Sequence, residues 1–524
     1  MSELLIFLYA YYRFYFYLTA SLAGTFITYI YCKGRKSNVG ESVFVSSVRL
    51  FGFIVCDIVL ALVVRHHIDN LVMQTTKERV IEILIKCLMI ALAGCLVVPL
   101  ASLAYKLLCK TKKYVDDNNL MGLLTFVYLF INLLIYPTYE VDDWVSAWYV
   151  TDYSMGIGSR FFMGTLFRLV CGDFVPASVV RAFFRLCCFI IICLVSLFAN
   201  HIYKNSEHKL RFAFSYLWVL FLANPGSVVC LWIGNCFGKL EVYGFLLSLI
   251  CILIYHKLGM KFITFVIITV MSVISIAIYQ GYIFMYYPII AMIFLWEMAV
   301  NSKRVQAWIY GLGNLMITCC TFLFFQFCSY TNFSSASEMA DALSQMTDLP
   351  ISEKAIDLEL FQPLSEAFAY LNKGFIESRL PRERAFFTML LISPVIIVFI
   401  GLYGKCLRLA KKENKNTLHS IYFYFVALLL FIIPQFMFNV DWGRWMISES
   451  IVLFSGFFFL IWKKDKNALK ALESFGSWIL KHNVIGIVSL VFVCGLARIE
   501  TFSYIKQVTD IVEWQLLSGW FLIE

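Results

Sequence analysis

Charged side chains are scarce in this chain of 524 residues. Asp, Glu, Lys and Arg together make up 15% of it, whereas 61% is hydrophobic. A typical soluble domain carries about 25% charged residues. Because a water-soluble fold could not hide so much apolar surface, the composition excludes an ordinary soluble protein and predicts that a lipid bilayer is the solvent.

Several signatures of soluble and nucleotide-driven enzymes are also missing. The chain has no Walker loop, no glycine-rich dinucleotide fingerprint after a strand, no His-Glu-x-x-His and no nucleophile elbow. The 17 cysteines fall mostly inside apolar segments, without metal-site spacing to histidine. Nucleotide-driven transport, zinc proteolysis and a disulfide framework therefore lack support. The internal repeats typical of transporters are not visible either.

Long apolar runs occupy most of the chain. A spanning helix needs about 20 mostly apolar residues, and about fourteen segments, some of them shorter, are candidates, with a range of about eleven to fourteen. The segments lie near 4–31, 43–64, 80–106, 119–138, 178–202, 211–232, 241–256, 262–279, 283–300, 305–329, 387–404, 419–438, 447–462 and 484–497. We therefore predict an all-α, polytopic integral membrane protein. The first run has no basic leader or cleavage site and is interpreted as a spanning helix.

The net charge of +9 is concentrated in short loops between the apolar runs. Basic clusters around Lys33, Lys110, Lys204, Lys303 and Lys463 fall on one side of the membrane if the chain crosses it about fourteen times. The positive-inside rule makes that side cytoplasmic. The pattern thus predicts membrane topology, with no nucleic-acid partner, and places acidic and aromatic loops on the non-cytoplasmic face.

This topology divides the chain into four parts. Residues 1–118 would hold the N-terminal transmembrane helices, and residues 119–330 a transmembrane core. Residues 331–386 form one long non-cytoplasmic loop, within which Ser335 to Lys354 predicts a short helix or lid. Residues 387–524 would hold the C-terminal transmembrane helices and an external tail.

The acidic external loop at 139–160 is the densest cluster of candidate catalytic residues. Its carboxylates are Glu140, Asp142 and Asp143. Carboxylates beside a membrane helix can bind a divalent cation or take a proton from an attacking hydroxyl. A glycine-rich turn then leads to Arg160, whose guanidinium can hold a phosphate by a forked contact. The stretch 160–171 is mostly apolar and predicts an amphipathic helix in the membrane interface.

Three other short loops on the same side supply candidate substrate-binding residues. They are Lys239 and Glu241, Gln280 and Tyr282, and Asp441 and Arg444. An arginine on a short, membrane-proximal loop suits a pyrophosphate ligand. Lys239 and Glu241 also suit a simple ion pair or an acid at a helix N-terminus.

Together these features resemble the GT-C superfamily of membrane glycosyltransferases, over residues 119–462. The resemblance implies a polyprenyl-phosphate-linked sugar donor, a glycan acceptor and a role in cell-surface polysaccharide or glycan assembly in a bacterial inner membrane. It leaves room for a divalent cation, Mg or Mn. The acidic loop here follows the fourth predicted helix, whereas in the family it usually follows the first. The chain also resembles bacterial surface-polysaccharide polymerases, which rely on arginine and need no metal.

A mechanism follows from this resemblance. Arg444, Arg160 or Lys239 would hold the lipid phosphate, and Asp142 or Asp143 would deprotonate the acceptor hydroxyl. The long loop would exclude water and so favour transfer over hydrolysis. The main alternative is a lipid-linked oligosaccharide flippase, which would move its substrate without forming a covalent bond.

Overall fold

The computed structural model describes residues 120–135, 140–233, 236–300, 305–362, 379–412 and 442–482, with isolated positions 486, 490 and 493. This part of the chain is almost entirely helical, as predicted. The helices are α1 (Met121–Ile135), α2 (Asp143–Ser146), α3 (Phe161–Cys171), α4 (Ala177–Asn205), α5 (His208–Ala223), α6 (Glu241–Leu258), α7 (Phe262–Ile278), α8 (Tyr282–Met285), α9 (Tyr287–Val300), α10 (Val305–Cys328), α11 (Ala336–Ser344), α12 (Glu353–Ile356), α13 (Arg379–Lys412), α14 (Trp442–Trp462) and α15 (Lys466–Lys481). Two short strands, β1 (Gly156–Ile157) and β2 (Tyr330–Thr331), pair in antiparallel fashion.

Five of the described helical segments are long and apolar enough to cross a membrane. They are Ala177–Asn205, His208–Leu231, Glu241–Leu258, Val305–Cys328 and Gly443–Trp462. Shorter apolar helices accompany them at Met121–Leu134, Phe161–Cys171, Phe262–Ile278 and Tyr287–Ala299. These segments indicate an integral membrane protein.

Most predicted spans that fall on described residues coincide with helices. The segment 283–300 differs, because the chain breaks at Tyr286 between the short α8 and α9. Helix α15 was not predicted: its lysines were interpreted as a basic loop, but they alternate with buried apolar residues on an amphipathic helix. The segments 4–31, 43–64, 80–106 and 419–438 lie outside the described residues, and so does nearly all of 484–497. The total of about fourteen spans stays a prediction.

The described loops gather at two ends of the helix bundle. At one end, His201 of α4, His256 of α6 and Trp462 of α14 meet edge to face, with ring centroids 5.0 Å apart for the two histidines and 4.8 Å for His256 and Trp462. We call this the basic end, because the lysine-rich turns 204–209, 257–261 and 463–470 lie there. The opposite, acidic end holds the first turns of α6 and α14.

Aromatic packing between α5 and α14 forms much of the interior. Phe458 lies 4.8 Å from Trp218 and 5.5 Å from Phe214 between ring centroids, and Phe454 lies 5.3 Å from Phe221. Edge-to-face and tilted aromatic contacts of this kind contribute about 0.5–1.5 kcal/mol per pair beyond the area they bury. These contacts hold α14 in the middle of the bundle, and so fix the position of the residues at its first turn.

Buried polar groups join α7, α9 and α10. The Tyr287 hydroxyl donates to Asn314 Oδ1 at 2.9 Å, and Asn314 Nδ2 donates to Thr269 Oγ1 at 3.0 Å. Such hydrogen bonds stabilise helix pairs inside a bilayer, where packing alone provides little hydrophobic driving force. The outer face of α10 exposes large apolar side chains such as Ile309 and Met316, as expected for a helix against lipid.

Candidate active site

A glycine turn brings two loops of the acidic end together. Gly238 has a φ of +82°, and a Cβ added to it would lie 2.9 Å from Val141 Cγ1. Its carbonyl accepts a hydrogen bond from the Tyr149 hydroxyl at 2.7 Å. Because only glycine fits this left-handed, closely packed position without strain, Gly238 sets the path by which Lys239 enters the site.

Asp142 and Lys239, both predicted site residues, form an ion pair. Asp142 precedes α2 and caps it by accepting the Trp144 amide at 2.9 Å. Its other carboxylate oxygen lies 2.9 Å from Lys239 Nζ, and the lysine side chain is only 2% exposed. Partial burial opposes ionisation, but the ammonium beside it holds the pKa of Asp142 below its ordinary value. Asp142 is therefore a fixed anion.

Asp143 faces solvent next to Asp142. Burial raises the pKa of Asp143, and so do the hydrogen bond and negative charge of Asp142. The two adjacent carboxylates therefore have pKa values shifted in opposite directions, a pattern typical of an acid and a base with different roles. The third predicted carboxylate, Glu140, is exposed at the same loop.

Glu241 and Arg444, also predicted site residues, meet at the start of α6 and α14. Arg444 Nε lies 2.8 Å from Glu241 Oε1, and Arg444 Nη2 lies 3.4 Å from Glu241 Oε2, which gives a forked contact. The side chains are 11% and 6% exposed, in the same order. Arg444 Nη2 also donates to the Tyr279 hydroxyl at 3.0 Å.

Arg160 approaches the same tyrosine ring from another loop. Its guanidinium carbon lies 5.1 Å from the Tyr279 ring centroid and 5.2 Å from that of Trp148, distances typical of cation–π contacts. The backbone has a φ of +83°, and its amide donates to the Ala277 carbonyl at 2.7 Å. This hydrogen bond satisfies a carbonyl at the end of α7 and compensates for the strained residue.

The segment after α10, residues 329–362, folds over these residues, and we call it the covering segment. Strand β2 pairs with β1, and Asn332 donates its backbone amide to Met155 O at 2.9 Å and its side-chain amide to Ser154 O at 3.1 Å. Further along, helix α12 contacts α2. The predicted short helix is present as α11, and the side of the membrane on which it lies stays a prediction.

Glu359 is the contact between this covering segment and the arginine. It lies in a single π-helical turn, Asp357–Phe361, and its Oε1 is 2.9 Å from Arg160 Nη2. Glu359 is 37% exposed, whereas Arg160 is 14% exposed. π-Helical turns are frequent at functional sites.

We call these three ion pairs, together with Tyr279, the charged cluster. Its members are Asp142 with Lys239, Glu241 with Arg444, and Arg160 with Glu359. Each cation already has a carboxylate partner, with which an anionic ligand would compete. Glu359 is the most exposed of the three carboxylates. Breaking its ion pair therefore costs less free energy than breaking the two buried ones.

The other predicted site residues lie elsewhere. The Gln280 backbone amide donates to Ser159 Oγ at 2.9 Å, which joins its turn to the residue before Arg160. Tyr282 is fully buried inside the helix bundle, and its hydroxyl lies 3.1 Å from Ser248 Oγ. Asp441 lies outside the described residues. Tyr282 thus points into the bundle and does not line a surface cavity with the charged cluster.

Helix α3 confirms the predicted helix at 160–171 and anchors the acidic loop. Arg168 pairs with the buried Asp152. A Cβ on Gly164 would lie 1.9 Å from the Thr151 carbonyl oxygen, so the helix packs directly on the loop backbone. Its other face exposes Leu169 and Val170, which suits contact with the membrane interface.

The carboxylates of the acidic loop do not form a recognisable metal site. Among the residues that the structure describes, no three His, Cys, Asp or Glu side chains are grouped to hold an ion. One carboxylate oxygen of Asp142 already accepts a hydrogen bond from Lys239 Nζ, and the other accepts one from the Trp144 backbone amide. Binding of an Mg or Mn ion with help from substrate oxygens stays a prediction, and no step below depends on one.

Three residues of interest were not singled out from the sequence. Tyr279 lies next to Gln280, but its contacts with two arginines from distant loops are not encoded in any local pattern. Glu359 is about 200 positions from its partner, Arg160. Glu449 is 7% exposed inside α14, and its Oε2 has no hydrogen-bond partner among the described residues. An acid within an apolar run is the signal that could have identified it.

Comparison with known protein families, characterised proteins and solved structures finds no match for this chain. The charged cluster must therefore be interpreted from its own chemistry.

Proposed function

We propose that the chain is a membrane glycosyltransferase of GT-C type that takes its sugar from a polyprenyl-phosphate carrier at the acidic end, on the non-cytoplasmic face. One observation carries the proposal. Two guanidiniums, from Arg160 and Arg444, converge on Tyr279 at the end of a membrane bundle whose neighbouring loop holds two carboxylates with oppositely shifted pKa values. A phosphate leaving group and a hydroxyl nucleophile need these two kinds of group.

Asp143 is the general base in this mechanism. Its carboxylate takes the proton of the acceptor hydroxyl while that oxygen attacks the anomeric carbon of the sugar. Its raised pKa suits proton transfer better than that of Asp142, which Lys239 holds as an anion. Asp142 acts instead through its negative charge, which raises the pKa of its neighbour.

Arg160 and Arg444 receive the leaving group. As the bond from the anomeric carbon to the phosphate oxygen breaks, the electron pair stays with the phosphate, whose charge the two guanidiniums stabilise. Glu359 must first leave Arg160, so the covering segment opens when donor enters. The exposed apolar face of α3 lies beside the site and is available to the polyprenyl chain.

Transfer measured in lipid vesicles tests the proposal. Purified protein is incubated with a panel of polyprenyl-phosphate and polyprenyl-pyrophosphate sugars, with and without EDTA to report on a cation. Asp143→Asn should abolish transfer, because the base is lost. Asp341→Asn, at an exposed aspartate of α11, makes the same charge change and should retain activity. Full activity in Asp143→Asn would reject the assignment.

A pH profile separates the two carboxylates. Activity requires ionised Asp143, so it should rise with pH through a value above 3.8, the ordinary aspartate pKa. In Asp142→Asn the amide still caps α2, but the negative charge next to Asp143 is gone. The acid limb of the profile should therefore move to lower pH. An unmoved limb would exclude Asp143 as the titrating base.

Two alternatives each have one observation in their favour. A surface-polysaccharide polymerase, which needs no metal, would use the same pair of arginines, Arg160 and Arg444. It differs in accepting a pyrophosphate-linked oligosaccharide, which the donor panel distinguishes.

A lipid-linked oligosaccharide flippase is favoured by the buried Glu449 in α14, since intramembrane acids mark transport pathways. Lipid-linked sugar appearing in the opposite leaflet without transfer would identify it.

A further inference from the structure

The basic end contains a cleft that the proposed function does not use. It lies between α13 and α15 and has a volume of about 610 Å³. Its lining is Lys405 and Leu409 from α13, and Lys470, Glu473, Ser474, Ser477, Trp478 and Lys481 from α15. Three lysines and one glutamate thus share one concave surface with two hydroxyls and an indole.

The negative charge of the cleft is already engaged. Glu473 Oε1 lies 3.1 Å from Lys209 Nζ, and Lys209 comes from α5 outside the cleft lining. The glutamate is therefore not available to neutralise Lys405 and Lys481 on the opposite walls. The cleft keeps a surplus of positive charge, which an anion of suitable size would balance.

Helix α15 is held firmly enough to present these lysines in fixed positions. Asp465 caps its first turn by accepting the Ala468 amide at 2.7 Å. A Cβ on Gly476 would lie 2.7 Å from Ala213 Cβ, so the helix packs closely on α5. The lysines project from the other side of the helix.

Exposed apolar side chains lie beside the cleft. Trp478 lines it and is 48% exposed, and the neighbouring Leu480 is 60% exposed. On α13, Ile397 and Ile400 are exposed one to two turns before Lys405. Tryptophan favours the level of the lipid head groups, and exposed isoleucines favour the acyl chains. A ligand in this cleft would therefore have its charged part at the lysines and apolar surface close by.

We infer that the cleft between α13 and α15 binds the anionic head group of a membrane phospholipid. Basic pockets between membrane helices are suited to such head groups. The ammonium groups of Lys405 and Lys481 and the Ser477 hydroxyl would donate to the phosphate, and the acyl chains would pack against the exposed side chains of the two helices. The site lies at the opposite end of the bundle from the charged cluster, so the inference does not rest on the proposed function.

Lipid retention by the full chain tests the inference. The protein is purified in detergent, mixed with equal amounts of phosphatidylglycerol and phosphatidylcholine, and examined by native mass spectrometry. The wild type should retain phosphatidylglycerol in preference. The double variant Lys405→Gln with Lys481→Gln should reduce that preference about tenfold, because it removes two of the positive charges that would attract the anionic head group.

A matched double variant controls for net charge. Lys257→Gln with Lys261→Gln removes two exposed lysines from the same end of the bundle, one in the last turn of α6 and one just before α7, and should retain the preference. The melting temperatures of both double variants show whether they are folded. Equal retention of phosphatidylglycerol by the two doubles would overturn the inference. Full displacement of the lipid by soluble glycerol phosphate would also overturn it, since the cleft would then recognise a phosphate regardless of the lipid.

Discussion

The two ends of the helix bundle use charge in opposite ways. At the acidic end, Lys239 and Glu241 are 2% and 6% exposed and each is paired. At the basic end, Lys209 and Glu473 pair while 57% and 46% exposed. A buried ion pair needs close contact geometry and further hydrogen bonds to offset the cost of desolvation. The acidic end therefore has the fixed geometry that chemistry needs, whereas the basic end has hydrated charges suited to topology and lipid contact.

Breaking one ion pair at each end gives the largest expected contrast. Glu241→Gln keeps the size of the side chain but leaves Arg444 without its buried counter-charge, so we expect a loss of about 3–5 kcal/mol of unfolding free energy. Glu473→Gln breaks the exposed pair with Lys209 and should change stability little. Denaturation of both variants in the same detergent measures the difference. Equal losses would show that the two ends are not distinguished by burial of charge.

The sequence predicts those parts of this contrast that depend on neighbouring residues, and it does not predict those that depend on contacts between distant segments. Helices α4, α6 and α10 begin and end within a few residues of the predicted spans, because the length of an apolar run reflects the thickness of the bilayer. Lys239, Glu241 and Arg444 were identified because charges are conspicuous in short loops between apolar helices. The prediction of these helices is confirmed because local composition determines them, whereas the functional role of the three charged residues stays a prediction.

Pairings and orientations could not be predicted in the same way. Tyr282 was expected to line a surface cavity, but the turn of α8 directs its side chain into the bundle, towards Ser248. Arg160 is close to Glu359 only because β1 and β2 bring two distant segments together. Helix α15 was interpreted as a basic loop because its lysines are prominent in the sequence. Its helical character depends on an apolar face that is buried against other helices. Each of these features depends on tertiary packing.

Substitutions at two glycines with positive φ, one at each end of the bundle, should have effects of intermediate size on stability. Gly238 at the acidic end has Val141 in contact, whereas Gly259 at the basic end has a φ of +65° and nothing within 4 Å of an added Cβ. Gly259→Ala should cost about 1–3 kcal/mol, from backbone strain alone. Gly238→Ala adds a steric clash and displaces Lys239 from Asp142, so it should cost more and also lower transfer activity. Thermal denaturation together with the vesicle assay separates the two effects.

The smallest expected effect concerns the single exchangeable contact of the charged cluster. Glu359→Gln should weaken the hold of the covering segment on Arg160 and free that guanidinium for the donor phosphate. Because the pair is partly exposed, we expect a decrease of about two- to fivefold in the KM for the lipid-linked sugar. Glu353→Gln alters an exposed glutamate in α12 of the same segment and should leave the KM unchanged. An increase in KM in Glu359→Gln would mean that the carboxylate contributes to donor binding, and that an anion enters the acidic end without replacing it.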